Sequence, residues 1–305
     1  MLCICNILTR IWRPVRTRMH TKLTNLVVAP FNTSESILTT TLQYAPDPGL
    51  FGPESVSWRV IGDISSIVGG ARSLLIQSAH AEVVSGVHEH SNYRSDPFGR
   101  LTRTAQYVNI VNYGSISEVS MIVAMVNKAH ANVKGVSQAG VPYDANDPAL
   151  LSWVHNTLTD SLLSSYISYG PMPLSAQDAD KFITEQHKVG ALLGANDMPS
   201  TKESLHAWIV DHPRAIVTTA MRDSVAFIKK PPLGLLQRIG WSILVKGALG
   251  TVDAKLLNII DPSSSKPSKF GVWATRRLLR YLRAIMGQSP SLTAAVNRVN
   301  ASAPC

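Results

Sequence analysis

Cysteine is nearly missing from this chain. Its three cysteines, Cys3, Cys5 and Cys305, sit at the ends of 305 residues, so the body carries no thiol. That excludes a disulfide framework, a zinc–thiolate site, iron–sulfur ligation and a cysteine nucleophile within the core. It also excludes covalent haem attachment through Cys-x-x-Cys-His. Aromatic residues are few, at 7%, and the alternating Val/Ile/Thr runs of strands are scarce, so helices are expected to dominate. No apolar run is suited to crossing a bilayer. Leu2 to Leu8 is far too short, and Leu233 to Leu249 is interrupted by Gln237, Arg238 and Lys246. There is no Gly-x-Gly-x-x-Gly, no phosphate loop, no Gly-x-Ser-x-Gly elbow and no His-Glu-x-x-His. Aromatic and basic residues do not interleave as nucleic-acid readers need, so no nucleic-acid partner is expected.

What the chain has in quantity is apolar side chains and unevenly placed positive charge. The 45% hydrophobic content is ample for a sizeable core. The net charge of +9 is concentrated at the ends. Arg10, Arg13, Arg16, Arg18 and Lys22 crowd one end, and Lys266, Lys269, Arg276, Arg277, Arg280 and Arg283 the other. Such tails point to an anionic surface, membrane or nucleic acid, rather than to the substrate of the core.

This pattern divides the chain into three parts. Residues 1–45 read as a basic tail, disordered or weakly bound to a surface. Its charges follow the short apolar run, the wrong order for a secretory signal; an organellar transit peptide or a true start at Met19 are the alternatives. Residues 46–262 read as one folded domain. Residues 263–305 read as a linker, Ser263 to Pro267, and a basic amphipathic helix over 272–286. That helix suits a membrane surface, and equally a solvated face packed on the domain. The expected location is cytoplasmic, with membrane association through the basic tails.

Within the middle part the pattern is helical throughout. Apolar positions Val68, Ala71, Leu75, Ala79, Val83 and Val87 recur at three and four, predicting one long helix from Ile67 to His88. Gly69-Gly70 near its start would admit a second backbone or a ligand plane. Ser115-Ile116-Ser117-Glu118 predicts a capping box. Pro142 to Pro148 reads as a loop, with Asp147-Pro148 starting the next helix. His88-Glu89-His90 is a weak metal motif, because residues two apart on a helix do not share a face.

Two stretches carry possible chemistry. Arg100, Arg103 and Thr104 stand at i, i+3 and i+4, on one helix face. Two guanidiniums and a hydroxyl, if buried there, need an anionic or strongly accepting partner. His130 lies on or beside the apolar face of another helix. Periodicity favours a hydrogen-bonded core histidine, but a lone imidazole facing a cationic stripe is also what a haem pocket needs. From the residues alone both readings stand.

A family resemblance rests on several ordered stretches. They are Gly52-Pro53-Glu54-Ser55-Val56-Ser57-Trp58-Arg59-Val60, Gly69-Gly70-Ala71-Arg72-Ser73-Leu74-Leu75-Ile76-Gln77 and Gly86-Val87-x-x-His90-Ser91. Asp96-Pro97-x-Gly99-Arg100-Leu101-x-Arg103-Thr104, His130-Ala131-x-Val133-x-Gly135, Tyr143-x-Ala145-x-Asp147-Pro148 and Leu151-x-Trp153-Val154-His155 continue the series. Together they resemble the catalytic domain shared by rubber oxygenase and the oxygenase of mycophenolic acid biosynthesis, over about Gly52 to Leu244. The resemblance implies an all-α, single multi-helix domain with a globin-like core holding haem b. It implies an oxidoreductase that uses O2 to cleave carbon–carbon double bonds in a hydrophobic, isoprenoid-like substrate. The family's proximal histidine falls on His130, and its pocket arginine and threonine on Arg100 and Thr104. His80 and His155 are secondary candidates for the haem pocket. One departure matters: the rubber enzyme has a lysine, its distal ligand, where this chain has Arg103. A guanidinium stays protonated and offers iron no lone pair, so Arg103 is expected to polarise O2 or hold a propionate. The other departure is Ala81, where the family has proline after the histidine. The alternative class is a helical electron-transfer, sensor or interaction protein at a membrane surface.

Overall fold

Two helices that cross at a glycine form the centre of the fold. In a computed structural model of the chain, residues 37–263 and 268–301 are described. A 3-10 helix, Ile37–Tyr44, is followed by α1 (Val56–Ile61), α2 (Ser66–Gln77), α3 (Ala81–His90), α4 (Pro97–Tyr113) and α5 (Ile116–His130). A two-stranded hairpin, β1 (Lys134–Val136) and β2 (Pro142–Asp144), leads to α6 (Pro148–Tyr169) and α7 (Ala176–Leu193). Then come α8 (Lys202–Val210), α9 (Thr219–Lys229), α10 (Leu235–Leu249), α11 (Ala254–Ile260), α12 (Lys269–Met286) and α13 (Pro290–Asn300). The protein is one all-α domain.

The boundaries follow from capping chemistry. Asp96 accepts a bond from Gly99 N at 2.9 Å, with Pro97 opening α4. Ser115 and Glu118 form the predicted capping box of α5. Asp147 caps α6 with Pro148 at its first position. Gly194 closes α7 at φ 101°, a conformation that glycine adopts without a Cβ penalty.

At the centre α2 packs on α6. A Cβ on Gly69 would come within 2.9 Å of Leu162 Cα, while at Gly70 it would meet nothing within 4 Å. So Gly69 serves the approach of a second backbone, which is the first of the two uses expected of the pair. Beside the crossing, Arg72 Nη1 donates to Asp160 at 2.6 Å and to Ser161 Oγ at 2.8 Å. Both partners of this ion pair are buried. Around it, α10 lies on α2, α12 on α10, and α7 and α8 on α6. Trp153 and Phe182 are fully buried in the shared core, each contributing about 2–3 kcal/mol by removal of apolar surface from water.

Four features differ from the sequence expectation. The long helix over Ile67 to His88 is broken at Ser78–His80, giving α2 and α3. His80 is extended, at φ −83° and ψ 120°, and forms a bridge with Ala215, while Ile216 N donates to the carbonyl of Ala79 at 2.9 Å. A distant backbone thus takes over hydrogen bonding that the helix would otherwise supply. The stretch around Pro142 is not only loop, because Pro142–Asp144 pairs antiparallel with Lys134–Val136. The 3-10 helix falls within the part assigned to the tail, yet its Leu38 and Thr41 are buried under α13. The C-terminal part holds a second helix, α13, whose fully buried Arg298 donates to Thr41 Oγ1 at 2.6 Å and to the carbonyl of Asp47 at 2.7 Å. The N-terminal arginines, the three cysteines, Lys266 and most of the Ser263–Pro267 linker lie outside the described residues.

Candidate functional site

The α4–α5 helix hairpin is buried at its turn and unburied along its arms. Ile110 to Ser115, Glu118 and Val119 are buried. By contrast, among the described side chains none from Pro97 to Asn109 is buried, and none from Ser120 to His130. Ile122, Val123 and Val126 remain half-buried, and Met121 and Met125 are exposed. The two amphipathic helices thus meet at one end and leave their apolar side chains partly open along the rest. Arg100 and His130 are nearly equidistant from Gly114 along the two arms.

His130 is the last residue of α5, and the turn after it is fixed by a bond from Val133 N to the His130 carbonyl at 2.9 Å. Its Nδ1 is buried and has no hydrogen-bond partner. Burial pushes the imidazole below its ordinary pKa, opposed by the charge of Asp144 on β2. A neutral imidazole with an unpaired buried nitrogen has a lone pair to offer a metal. The Nδ1 atoms of His80 and His88 are likewise buried without a hydrogen-bond partner.

The residues around His130 explain the pattern that follows it. Gly135 lies under the Tyr143 ring: a Cβ there would stand 2.7 Å from Tyr143 Oη. Tyr143 donates to Glu89 at 2.6 Å, and His90 Nε2 lies 3.1 Å from the Lys134 carbonyl. A Cβ on Gly86 would meet the Tyr143 ring at 3.3 Å and Val133 Cγ1 at 3.5 Å. So Gly86 and His90 from one stretch, and Val133, Gly135 and Tyr143 from another, pack as one support at the end of α3 and α5. Glu89 and His90 are used in this support, and among the described residues no three His, Cys, Asp or Glu side chains group around a metal position.

The cationic stripe divides. Arg100 is half-buried and donates to Ser91 Oγ at 2.6 Å. Among the described residues no carboxylate pairs with it. Burial pushes its guanidinium pKa down, and the neighbouring charge of Arg103 acts in the same direction. Arg103 is exposed and lies 3.5 Å from Asp96 Oδ2. Thr104 is exposed and its hydroxyl donates to the Arg100 carbonyl at 3.1 Å. A half-buried cation without a carboxylate is what an anionic ligand group requires. Ser91, which orients Arg100, was not singled out by type or spacing; its signal was membership in the Gly86-to-Ser91 stretch.

The other two histidines stand elsewhere. His80 sits at the end of α3 opposite Ser91, buried against Trp153 and His212, with ring centroids at 5.3 and 5.2 Å. Its Nδ1 lies 3.2 Å from Glu82 Oε2, and burial pushes it down to about 4. Glu82 is itself held low by bonds from Arg214 and Ser137, although burial acts the other way. His155 lies inside the α6–α7 contact, where a Cβ on Gly190 would touch its ring at 2.7 Å. Burial pushes it, too, down to about 4. Both side chains pack in the interior, away from the two open arms.

A comparison with known proteins identifies the family of the chain. A family model described as "ER-bound oxygenase mpaB/B'/Rubber oxygenase, catalytic domain" covers residues 58–299. The chain belongs to this family. The match runs from α1 to the end of α13, and so takes in both C-terminal helices. Among curated proteins, the uncharacterized proteins Mb2261 of Mycobacterium bovis and Rv2237 of Mycobacterium tuberculosis are each 30% identical over 114 residues. These matches cover 36% of this chain and 45% of each relative, so the chain spans less than half the length of those proteins. No solved structure matches the chain significantly. Among the described residues no helix is long and apolar enough to cross a membrane.

Proposed function

We propose that this member of the oxygenase family binds haem b between the arms of α4 and α5 and oxidatively cleaves a carbon–carbon double bond in a hydrophobic, isoprenoid-like substrate. The observation that carries the reading is the buried, unpartnered Nδ1 of His130 at the end of one arm. The residues present fit the group. His130 would hold the iron, and Arg100, held by Ser91 and without a carboxylate, would receive a propionate. When bound, haem supplies the activation of O2, whose two oxygen atoms end on the two carbonyl products of one alkene.

The chain's own side chains perform the rest. Burial keeps His130 neutral and its lone pair free at neutral pH. The half-buried Leu101, Ile122 and Val126, with the exposed Met121 and Met125, offer apolar surface to a long hydrocarbon substrate. Arg103, in the exposed part of the stripe, stays a hydrogen-bond donor and cannot occupy the metal as a lysine can. With haem bound it would polarise O2 or hold a second propionate.

The test begins with an absorption spectrum of protein purified after expression with haem supplied, followed by pyridine haemochromogen analysis. A Soret band with about one haem b per chain is expected. His130→Ala is expected to lose that band while keeping its helical circular dichroism; normal haem retention would refute the ligand assignment. Incubation of a polyprenyl alkene with the haem-loaded protein under O2 is expected to give aldehydes or ketones. Haem with redox cycling but an intact alkene would point instead to electron transfer or sensing, and absence of haem to an interaction protein.

A further inference from the structure

Helix α12 has two kinds of arginine. On its inner side Arg283 pairs with Asp63 at 2.7 Å and donates to the Tyr169 carbonyl at 2.9 Å. Arg276, though exposed, donates to the Ser168 carbonyl at 3.1 Å. Arg277 and Arg280 are exposed on the outer side, and among the described residues neither pairs with a carboxylate. No aspartate or glutamate lies within α12 or α13.

The same outer face carries large aromatic side chains. Phe270 is 70% exposed, Trp273 54% and Tyr281 42%. Phe270 and Trp273 stack with centroids 5.7 Å apart, and the Arg277 guanidinium lies over the Trp273 ring at 5.7 Å. The opposite face is closed onto the domain. Thr275 Oγ1 donates to the Ile243 carbonyl, and a Cβ on Gly247 would meet that threonine at 2.3 Å. The α10 helix, running antiparallel to α12, exposes Leu235, Leu236 and Ile239 around Arg238 at its own start.

We propose that the outer face of α12 docks this protein on the surface of a bilayer containing anionic lipids. Phe270, Trp273 and Tyr281 would enter the headgroup boundary, where amphipathic aromatic rings are favoured. Lys269, Arg277 and Arg280 would lie at the level of the lipid phosphates and carboxylates. The charge selects the occupant. A second copy meeting this face across a two-fold axis would set Arg277 and Arg280 against their own counterparts, which like-charge repulsion opposes. An oxygenase taking a water-insoluble substrate would gain from such a site, but the docking proposal rests on α12 and not on haem.

The test is flotation of the full chain with two kinds of vesicle, pure phosphatidylcholine and the same lipid with about a third phosphatidylserine. The protein is expected to float with the anionic vesicles, to float far less with the neutral ones, and to be released by high salt. Arg277→Gln/Arg280→Gln is expected to bind about thirty-fold more weakly, each arginine near an anionic surface supplying a factor of about five. Phe270→Ser/Trp273→Ser is expected to lose flotation with unchanged circular dichroism, since both side chains are exposed. Absence of flotation, or flotation of both double variants at the level of the parent, overturns the proposal. So does a dimer by light scattering that the Phe270/Trp273 variant converts to monomer, because the face would then belong to a second copy.

Discussion

Ser91, at the end of α3, holds the guanidinium of Arg100 by a 2.6 Å bond from Nη1 to Oγ. This fixes a long, flexible cation at the mouth of the α4–α5 arms before any ligand arrives. Ser91→Ala should therefore leave the fold nearly unchanged, by less than ~1.5 kcal/mol for a single half-buried hydrogen bond. With haem bound as proposed, it should weaken that binding by about ten-fold, as the arginine must be ordered on binding. Thermal unfolding and a haem titration, run side by side, separate the two effects. Equal haem affinity in parent and variant would remove Arg100 from the propionate role.

The Arg72–Asp160 pair is expected to behave very differently, since its side chains are 1% and 5% exposed. Removing one partner strands a buried charge. Asp160→Asn or Arg72→Met should cost about 3–5 kcal/mol, seen as a lower midpoint in denaturant unfolding. The double replacement by apolar residues should recover much of that loss, because no uncompensated charge is then left behind. A loss below ~1 kcal/mol in both single variants would mean the pair is reached by water.

Gly69 and Gly70 make an internal control. An added methyl at Gly69 would lie 2.9 Å from Leu162 Cα and 3.1 Å from the Ser161 carbonyl, so α2 and α6 must part. Gly69→Ala should destabilise by roughly 1–3 kcal/mol. At Gly70 the methyl meets open space, and alanine should stabilise the helix by about 0.5–1 kcal/mol. Calorimetry of both variants checks the opposite signs.

Stability should also depend on pH through His80 and His155. Both have an ordinary pKa of 6.5, and burial pushes both down to about 4 in the folded chain. The unfolded chain therefore binds more protons between those values. Their contribution to stability is complete above pH 6.5 and is lost as the pH falls from 6.5 towards 4. Near pH 5 unfolding should take up about two protons from this pair, giving a steep fall in melting temperature. A flat profile from pH 6.5 to 4.5 would show that the two rings are reached by solvent.

Much of this architecture is legible in the sequence, because local chemistry decides it. The Ser115–Glu118 capping box, the Asp147-Pro148 start of α6 and the glycine after Tyr113 all lie where helix-end chemistry places them. The break at Ser78–His80 is not legible, since apolar periodicity continues through it and the partner that ends α2 is the backbone at Ala215 and Ile216. The candidate site shows the same division. Arg100, Arg103 and Thr104 are visible as one stripe, but which of them is buried depends on where α3 ends. His130 cannot be told from a core histidine by spacing, and its unpartnered Nδ1 is shared with His80 and His88; what sets it apart is its half-buried place at the end of an open arm. His80 and His155 look equally suitable in the sequence, and it is packing against Trp153 and Gly190 that sets them in the interior.

The fully buried Arg298 near the end of α13 has a consequence for where this domain can be cut. Its guanidinium donates to Thr41 Oγ1 and lies 3.5 Å from Glu118, the carboxylate that closes the capping box of α5. Thr41 donates to the same carboxylate at 2.9 Å. A polypeptide trimmed to residues 46–262 would lose both Thr41 and Arg298, and the root of the arm that carries His130 would be left holding a buried, uncompensated charge. The two edges of the sequence thus act as a latch on the base of that arm, and trimming for crystallisation or fusion should begin before Ile37 and stop after Asn300.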